Sequence, residues 1–337
     1  LNKALYGLKQ SPLLWYQTAR VFFESLGFVC CVSDVCLFVY ACQDGKVFLS
    51  IYVDDLTISS KSKILVEWVV SQTKQRFPLR DIKPLSWTVG LRVQNLDDSI
   101  QISQCSYVET LFEKIIQGSE EKLQRRRIPI AVDLVLHGTS SNLLSRPAGV
   151  KEYQKLIGSL NYLAHSSRPD ISFAVNALSS YLQCPREIHL SAAKRVLVYL
   201  HSSRNFGIMY SASSENNLCA YCDASLVSKD SADGRSTTGY VVLFNNNLVT
   251  WRSSRQTVVS LSTMESELIA IATVLTALQH IRNTLTELGY CVPNYKIFTD
   301  SLPAVRYLQT AAEVARPRTR HLALRFHFIR SEVEQGV

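Results

Sequence analysis

The first part of the chain alternates between apolar positions at helical spacing and unbroken apolar runs. One apolar stripe recurs three or four positions apart, at Trp15, Ala19, Phe22 and Leu26. This period predicts a helix with one buried face. Ser11 is the predicted N-terminal cap of that helix, Pro12 suits its first turn, and Gly27 suits its end.

Two strand-like runs follow this helix and predict a hairpin. Residues 35–42 and 46–53 are largely apolar, and the pair Asp44-Gly45 between them is a strong turn signal. A further strand-like run, LTIS, comes directly after the acidic pair Asp54-Asp55. The pattern therefore places two adjacent carboxylates at the tip of a second hairpin.

The middle of the chain is predicted to be mainly helical. Residues 62–77 and 106–117 suit helices, and residues 85–93 and 99–103 suit another strand pair. Residues 118–150 combine the charged stretch EEKLQRRR with several glycine, serine and proline residues, which indicates a linker. Helical spacing resumes over residues 151–210, with one helix at about 151–165, another after Pro169-Asp170, and a third at about 186–202 before Gly207.

From residue 217 onward the period changes again. Three strands are predicted, at 217–224, 237–244 and 248–253, and a long helix then runs from about Ser262 to Gly289. A strand at 295–299 and two helical stretches complete the pattern. This order predicts an α/β (α+β) fold with mixed sheets.

Composition narrows the class of protein. The chain has 337 residues, of which 47% are hydrophobic and 19% charged, so several folded domains are expected rather than disorder. The net charge of +8 is a weak hint of a polyanionic partner such as nucleic acid. No run is apolar and long enough to span a bilayer, and no membrane association is expected. Because the chain begins at Leu1, a longer natural protein is also expected.

The cysteines indicate a reduced, intracellular protein. There are nine of them, an odd number without a disulfide framework pattern. Cys219 and Cys222 form one CxxC, but no second ligand pair lies nearby, and the segment reads as a strand. Two structural cysteines are therefore favoured over a metal pair.

The acidic pair Asp54-Asp55 has two interpretations. A hairpin tip often carries aspartate for turn geometry alone. Two neighbouring carboxylates repel each other unless cations or hydrogen bonds compensate, however, and Mg²⁺ prefers carboxylate oxygens. The pair is therefore a candidate metal site for phosphoryl transfer, a reaction that commonly uses two metal ions.

A second set of acids lies at the ends of predicted elements. Asp223 follows a strand, Glu267 lies in the first turns of the long helix, and Asp300 ends the strand at 295–299. Taken singly, either aspartate could cap a turn, and the glutamate near the helix start could interact favourably with the helix dipole. Together, in this order, they can converge on one point. Glu265 rivals Glu267, but its spacing from Ser262 suits a capping box better.

Several longer strings carry a family resemblance. They occur in one order along nearly the whole chain: LNKALYGLKQSPLLWY, YVDD, IGSLNYLAHSSRPDISFAV, AAKRVLVYL, GRSTTGYVV and ESELIA. YVDD resembles the YxDD motif of reverse transcriptases, and its flanks resemble the Pol polyprotein of copia-type LTR retrotransposons. The resemblance implies part of a reverse-transcriptase palm and thumb, a helical connection, and a ribonuclease H-like mixed sheet with helices.

For the polymerase part, the resemblance implies that Asp54 is a metal ligand and that Asp55 helps to bind or position metal. Lys9 and Gln10 match the place where related polymerases contact template and incoming nucleotide; otherwise they form an exposed turn. The family has a further catalytic aspartate upstream of LNKALYGLKQ, so an incomplete polymerase site is expected here. Residues 77–83 depart from the family pattern, which puts primer binding in doubt.

For the ribonuclease H part, Asp223, Glu267 and Asp300 match three of the family's four metal-binding acids. The fourth lies in a later segment of the family, so this site is also expected to be incomplete. Arg252, on a predicted strand, is expected near the path of an RNA–DNA hybrid. Arg320 belongs to an arginine-rich stretch, residues 316–330, that is either a solvated helix face or a hybrid-backbone contact.

The predicted organisation is residues 1–117 as partial reverse transcriptase, 118–150 as linker, 151–212 as helical connection, and 213–337 as ribonuclease H-like domain. The implied cofactors are two Mg²⁺ or Mn²⁺ ions per active site. The implied partners are RNA template, DNA primer, RNA–DNA hybrid, deoxynucleoside triphosphates, and the integrase and protease of the polyprotein. The implied location is a cytoplasmic virus-like particle or the nucleus.

Three functional hypotheses remain open on the sequence. The first is an enzyme fragment with polymerase and ribonuclease H activities. The second is a catalytically inactive relic of the element, and the third is a remnant that binds nucleic acid without chemistry.

Overall fold

The computed structural model describes residues 5, 7–79, 82–116, 126–130, 136, 147–213, 215–225, 234–292, 294–309 and 320–334. The chain divides into two compact units. The first unit comprises residues 1–89 and 279–292, and the second comprises residues 90–278 and 293–337. None of the helices in the described residues combines the length and the apolar character that a membrane crossing requires.

The first unit is built on a small antiparallel sheet with two helices. Its elements are α1 (Ser11–Ser25), β1 (Val29–Cys30), β2 (Leu37–Cys42), β3 (Gly45–Tyr52), β4 (Asp55–Ser60), α2 (Lys63–Arg76) and β5 (Trp87–Thr88). Strands β1 to β4 pair in sequence order. Alternate residues of β3, namely Val47, Leu49 and Ile51, are buried, as expected for a sheet with one covered face.

Helix α1 fits its predicted stripe but not its predicted cap. Ala19 and Phe23 are fully buried, while Trp15 and Phe22 pack against the same core. The prediction that Ser11 caps this helix is wrong. Gln10 holds the cap position, and the Ser11 hydroxyl, inside the first turn, donates instead to the carbonyl oxygen of residue 5 at 2.5 Å.

The second unit begins with a strand pair and a helical cluster. Its first elements are β6 (Leu91–Asn95), β7 (Ser99–Ser103), α3 (Cys105–Ile115), α4 (Pro147–Ser166), a 3-10 turn (Pro169–Ile171), α5 (Ser172–Ser179), α6 (Glu187–Ser202) and β8 (Gly207–Ser211). Helices α3 to α6 share one core that includes Leu156, Leu160 and Leu197, all fully buried. Helix α4 begins at Pro147, inside the predicted linker, most of which lies outside the described residues.

The three helices predicted within residues 151–210 are confirmed as α4, α5 and α6, but the end of that range is not helical. Residues 207–211 form strand β8, which pairs antiparallel with β7 in the register Ile102↔Ile208. Gly207 makes this approach close, because a Cβ atom there would lie 2.3 Å from the Ile102 carbonyl oxygen. The partner strand is about a hundred residues away in sequence, so local periodicity carries no sign of the pairing.

The rest of the second unit is a mixed sheet with helices. Its elements are β9 (Leu218–Ser225), β10 (Thr237–Phe244), β11 (Asn247–Arg255), α7 (Thr263–Glu287), β12 (Tyr295–Phe298), α8 (Leu302–Gln309) and α9 (Arg320–Glu334). Strand order is β11-β10-β9-β12, with β12 parallel to β9 and the other pairs antiparallel. The residues of α7 from 279 onward belong to the first unit. The predicted mixed α/β fold is thus confirmed.

Candidate functional site

Three carboxylates converge at one edge of the mixed sheet. Asp223 lies near the end of β9, Glu267 lies one turn into α7, and Asp300 follows β12. One oxygen from each of the three lies within 4.8 Å of the others. Among the described residues, this is the one group of three or more metal-ligating side chains so arranged.

The strand pairing explains why two of these acids meet. Strands β9 and β12 run parallel, so both end at the same edge of the sheet. Tyr221 pairs with Phe298, and their rings stack with centroids 4.9 Å apart. Asp223 lies two residues after Tyr221 within β9, and Asp300 lies two residues after Phe298, just beyond the end of β12. Because side chains alternate along extended backbone, both aspartates project on the face of this ring pair.

The start of α7 delivers the third acid. The Glu265 N–H donates to the Ser262 hydroxyl at 3.2 Å, and the Glu265 carboxylate accepts the Leu261 N–H at 2.8 Å. Glu265 therefore stabilises the helix start, as its spacing predicted. Glu267, two residues on, is the glutamate that joins the aspartates.

The surroundings of Glu267 raise the energetic cost of its charged form. It is 7% exposed, and burial, with the charges of Asp223 and Asp300, raises its pKa to about 7. Hydrogen bonds from the Ala224 N–H, at 3.3 Å to Oε1, and from the Thr299 hydroxyl only partly lower that pKa. A bound cation would remove the cost of keeping this carboxylate charged.

The donor set fits a hard divalent cation. Glu267 Oε2 is buried and has no hydrogen-bond partner among the described residues, while Asp223 and Asp300 are exposed at the sheet edge. An unpartnered buried carboxylate oxygen is costly, and Mg²⁺ or Mn²⁺ takes oxygen ligands of this kind. The cluster can therefore hold a metal ion with one face open to solvent.

The other acidic pair lies at the tip of the β3–β4 hairpin. Tyr52 pairs with Asp55, so Val53 and Asp54 form the two-residue loop. Both aspartates are exposed. Within the described part of the chain, no third acid, histidine or cysteine joins them in a metal-ligating group. The predicted hairpin is confirmed, and its metal role stays a prediction.

The predicted nucleic-acid contacts are spread over the fold. Lys9 and Gln10 are exposed in the turn before α1. Arg252 is exposed on β11, opposite Tyr240, which pairs in turn with Cys222. Neighbouring strands share the face of paired residues, so Arg252 projects from the face opposite to Asp223. Arg320 begins α9, and its side chain lies outside what the structure describes.

The CxxC pair is not part of a metal site among the described residues. Cys219 and Cys222 are both buried on β9. Burial first, and then the nearby acids, raises the pKa of Cys222 to about 12. A protonated thiol is a poor metal ligand, which supports the structural role.

Two contacts at these sites were missed by sequence reasoning. The Thr299 hydroxyl reaches Glu267, and the Trp15 indole N–H donates to the Val53 carbonyl oxygen at the hairpin tip. Thr299 immediately precedes Asp300, so its proximity could have been anticipated. Nothing in the sequence pattern links Trp15 with Val53.

The fold and the acids define a mixed α/β protein with candidate sites for divalent cations. Comparison with known proteins gives the family. The profile of the family described as reverse transcriptase (RNA-dependent DNA polymerase) matches residues 1–123. The chain is 35% identical over 337 residues, all of its length, to the retrovirus-related Pol polyprotein from transposon RE1 of Arabidopsis thaliana, of which it covers 22%.

Two further relatives agree. The Pol polyprotein from transposon TNT 1-94 of Nicotiana tabacum is 29% identical over 347 aligned positions, with 99% of this chain and 25% of that protein covered. A transposon Ty5-1 protein of Saccharomyces cerevisiae is 31% identical over 272 residues, with 80% of this chain and 86% of that protein covered. The chain belongs to the reverse transcriptase family of copia-type retrotransposon Pol polyproteins. It spans about a fifth of the RE1 polyprotein.

Proposed function

We propose that this chain carries the YVDD part of an RNA-directed DNA polymerase and a ribonuclease H-like site, as segments of a copia-type Pol polyprotein. Residues 1–117 would serve the polymerase, 118–150 a linker, 151–212 a connection, and 213–337 the ribonuclease H part. The observation that carries the proposal is the convergence of Asp223, Glu267 and Asp300 within 4.8 Å.

At the three-acid cluster, each side chain has a separate task. Asp223 and Asp300 are exposed and would bind cations on the side where a nucleic-acid backbone can approach. The Ala224 N–H donates to Oε1 of Glu267 and so holds this carboxylate in place before a cation binds. The other oxygen, Oε2, would then bind the cation at little further cost in side-chain entropy. When bound, two Mg²⁺ or Mn²⁺ ions would supply an activated water and charge neutralisation at the scissile phosphate.

At the hairpin tip, Asp54 and Asp55 would present two carboxylates to cations that accompany the primer end and a deoxynucleoside triphosphate. Family membership supports this assignment, since the reverse transcriptase profile covers the whole hairpin. The reaction would be phosphoryl transfer, in which positioning and electrostatic stabilisation carry most of the catalysis.

The proposed partners are RNA template, DNA primer and RNA–DNA hybrid, together with the integrase and protease parts of the polyprotein. The net charge of +8 favours contact with a phosphate backbone. Lys9, Gln10 and Arg320 are the proposed contacts, whereas Arg252, on the face opposite to Asp223, would contact nucleic acid only away from the three acids. Virus-like particles in the cytoplasm, or the nucleus, are the proposed location.

The test is cleavage of a labelled RNA–DNA hybrid by the whole chain with Mg²⁺ or Mn²⁺. Asp223→Asn keeps the shape of the side chain and removes one ligand charge, so cleavage should fall by at least about a hundredfold, as for loss of one catalytic interaction. Asp98→Asn, at an exposed turn of the second unit, is the matched control and should leave cleavage unchanged.

The alternatives give different results in the same experiment. Binding of the hybrid that weakens with salt, without metal-dependent cleavage, would indicate a nucleic-acid-binding remnant. Absence of both binding and cleavage would indicate an inactive relic. Equal cleavage by wild type and Asp223→Asn would refute the assignment of the cluster.

A further inference from the structure

The β3–β4 hairpin tip contains a strained backbone position. Val53 has φ of 55°, in the left-handed region. A two-residue hairpin loop needs such a conformation, but glycine, asparagine and aspartate are the residues that adopt it readily. For a β-branched residue the conformation is a true outlier, which persists only where surrounding contacts hold it.

One side chain supplies such a contact. The indole N–H of Trp15, on α1, donates to the carbonyl oxygen of Val53. Among the described residues, this is the one side-chain hydrogen bond to residues 52–55. The acceptor belongs to the peptide group that joins Val53 to Asp54, so the bond restrains the rotation that aims the Asp54 side chain.

The donor is itself fixed by aromatic packing. The Trp15 ring meets Phe77 edge-on, with centroids 5.1 Å apart and planes at 73°. Phe77 meets Phe22 in the same manner, at 5.1 Å and 82°. Phe77 is the C-terminal cap residue of α2, so rings from α1 and from the end of α2 lock the indole in place.

We propose that Trp15 is a positioning residue, which holds the peptide between Val53 and Asp54 so that Asp54 and Asp55 form a fixed pair for a divalent cation. This inference rests on the proposed polymerase role of the hairpin for its function, but not for its structural content. Trp15 itself touches no substrate in this scheme and acts only through the turn.

The test separates the hydrogen bond from the packing. Trp15→Phe keeps an aromatic ring against Phe77 and removes the N–H. Trp87→Phe is the matched control, since Trp87 is 53% exposed and lies in β5, away from the hairpin in sequence. Amide hydrogen exchange of a peptide covering residues 50–58 is measured for each, with and without Mn²⁺.

Without metal, Trp15→Phe should speed exchange at the hairpin tip about fivefold to tenfold, as expected for loss of one hydrogen bond, while β2 is unaffected. The Mn²⁺ concentration needed to slow exchange at the tip should be higher by a similar factor in Trp15→Phe than in the wild type. The protection of a peptide that contains Ala224, next to Asp223, should not change.

A second variant covers the case in which Trp15→Phe disturbs the fold. 3-Benzothienylalanine incorporated at residue 15 keeps the bicyclic shape and replaces the N–H with sulfur. It should reproduce the faster exchange at the tip with an unchanged melting temperature. Unchanged exchange in this variant would overturn the positioning role, whatever the metal result.

The metal result judges the proposed function separately. If the Trp15 variants exchange faster at the tip as expected, but Mn²⁺ does not slow exchange there in the wild type, then Trp15 holds the turn and the assignment of a metal to Asp54 and Asp55 fails. If Mn²⁺ protects the tip equally in all variants, the metal assignment stands and the positioning role of Trp15 is refuted.

Discussion

Glu287, the last residue of α7, should stabilise the first unit through its contacts with the loop before β2. Its carboxylate accepts the Val32 N–H at 2.7 Å, the Ser33 N–H at 3.1 Å and the Ser33 hydroxyl at 3.0 Å. Replacement by alanine removes the acceptor of all three hydrogen bonds, the carboxylate oxygen Oε2, and leaves two backbone donors to be satisfied by water.

The size of the effect follows from opposing contributions. One hydrogen bond to a charged group is worth about 1.5–3 kcal/mol, but these three share one carboxylate and lie near solvent, with Val32 88% exposed. A negative charge at a helix C-terminus also costs about 0.3–1 kcal/mol, which alanine would recover. We expect Glu287→Ala to lower the stability of the first unit by about 1–2 kcal/mol.

The dependence on pH gives a second signature. Partial burial raises the pKa of Glu287, but the hydrogen bonds from Ser33 and Val32 outweigh it and lower the pKa below the ordinary 4.5. A lowered folded-state pKa means that the contribution is complete above about pH 5 and is lost as pH falls through the folded-state value. The wild type and Glu287→Ala should therefore converge in stability as the pH falls below the folded-state pKa of Glu287.

Amide hydrogen exchange of residues 29–39 at several pH values is the assay, with rates corrected for intrinsic exchange. A loss of 1.4 kcal/mol corresponds to tenfold faster exchange through local opening. Glu24→Ala is the matched control, because Glu24 makes an exposed pair with Arg20 at 2.8 Å on α1, worth about 0.3–0.5 kcal/mol. Equal effects of the two substitutions, or a stability difference between wild type and Glu287→Ala that does not shrink as the pH is lowered, would refute the reasoning.

Three further predictions concern the second unit. Arg168→Met should lower the free energy of unfolding in urea by about 3–5 kcal/mol, because Arg168 is only 1% exposed and pairs with Asp170 at 2.7 Å. Arg204→Met, which removes an exposed pair with Glu109, should cost under about 1 kcal/mol. Similar losses in the two variants would contradict this prediction. Gly207→Ala should lower the melting temperature and reduce the free energy of unfolding by about 1–3 kcal/mol, because the added Cβ would lie 2.3 Å from a backbone oxygen of β7. Gly158→Ala in α4, where the added Cβ has nothing within 4 Å, should instead raise the free energy of unfolding by up to about 1 kcal/mol. If both glycine variants changed stability in the same direction, the packing argument would be refuted. Glu267→Gln should stabilise the protein by about 1–3 kcal/mol at pH 8 without metal, because burial and two neighbouring aspartates raise the pKa of the Glu267 carboxyl to about 7. The same variant should lose any rise in melting temperature with Mg²⁺. A variant less stable than wild type would refute the electrostatic account.

Local periodicity was sufficient for much of the fold. The apolar stripe of α1, the hairpin formed by β2 and β3, and the long helix α7 are each set by neighbours within a few residues, and each matched the structure, although the two-residue loop of the hairpin is Gln43-Asp44 rather than Asp44-Gly45. The meeting of Asp223, Glu267 and Asp300 was also predictable, because each acid stands at the end of an element where strands and helices share an edge.

Other features depend on partners that are distant in sequence. Even over a short distance a side-chain partner can differ from the expected one: the Ser11 hydroxyl donates to the carbonyl oxygen of Leu5, six residues earlier, and Gln10 holds the cap position of α1. The bond between Trp15 and Val53 spans 38 positions, and no propensity of either residue announces it. Side-chain positions such as these are decided by packing, which a periodic pattern does not contain.

The pairing of β8 with β7 has a consequence for how this sheet is assembled. Strand β8 leaves the ribosome about a hundred residues after β7, so one edge of β7 has a row of unpaired backbone donors and acceptors until then. Ile100 on β7 is 42% exposed even in the finished fold. A chain that stopped between residues 104 and 206 would keep that row permanently uncovered, which is a template for aggregation. Copies of the element shortened in this interval should therefore yield insoluble protein, although the acidic hairpin upstream would still be encoded intact.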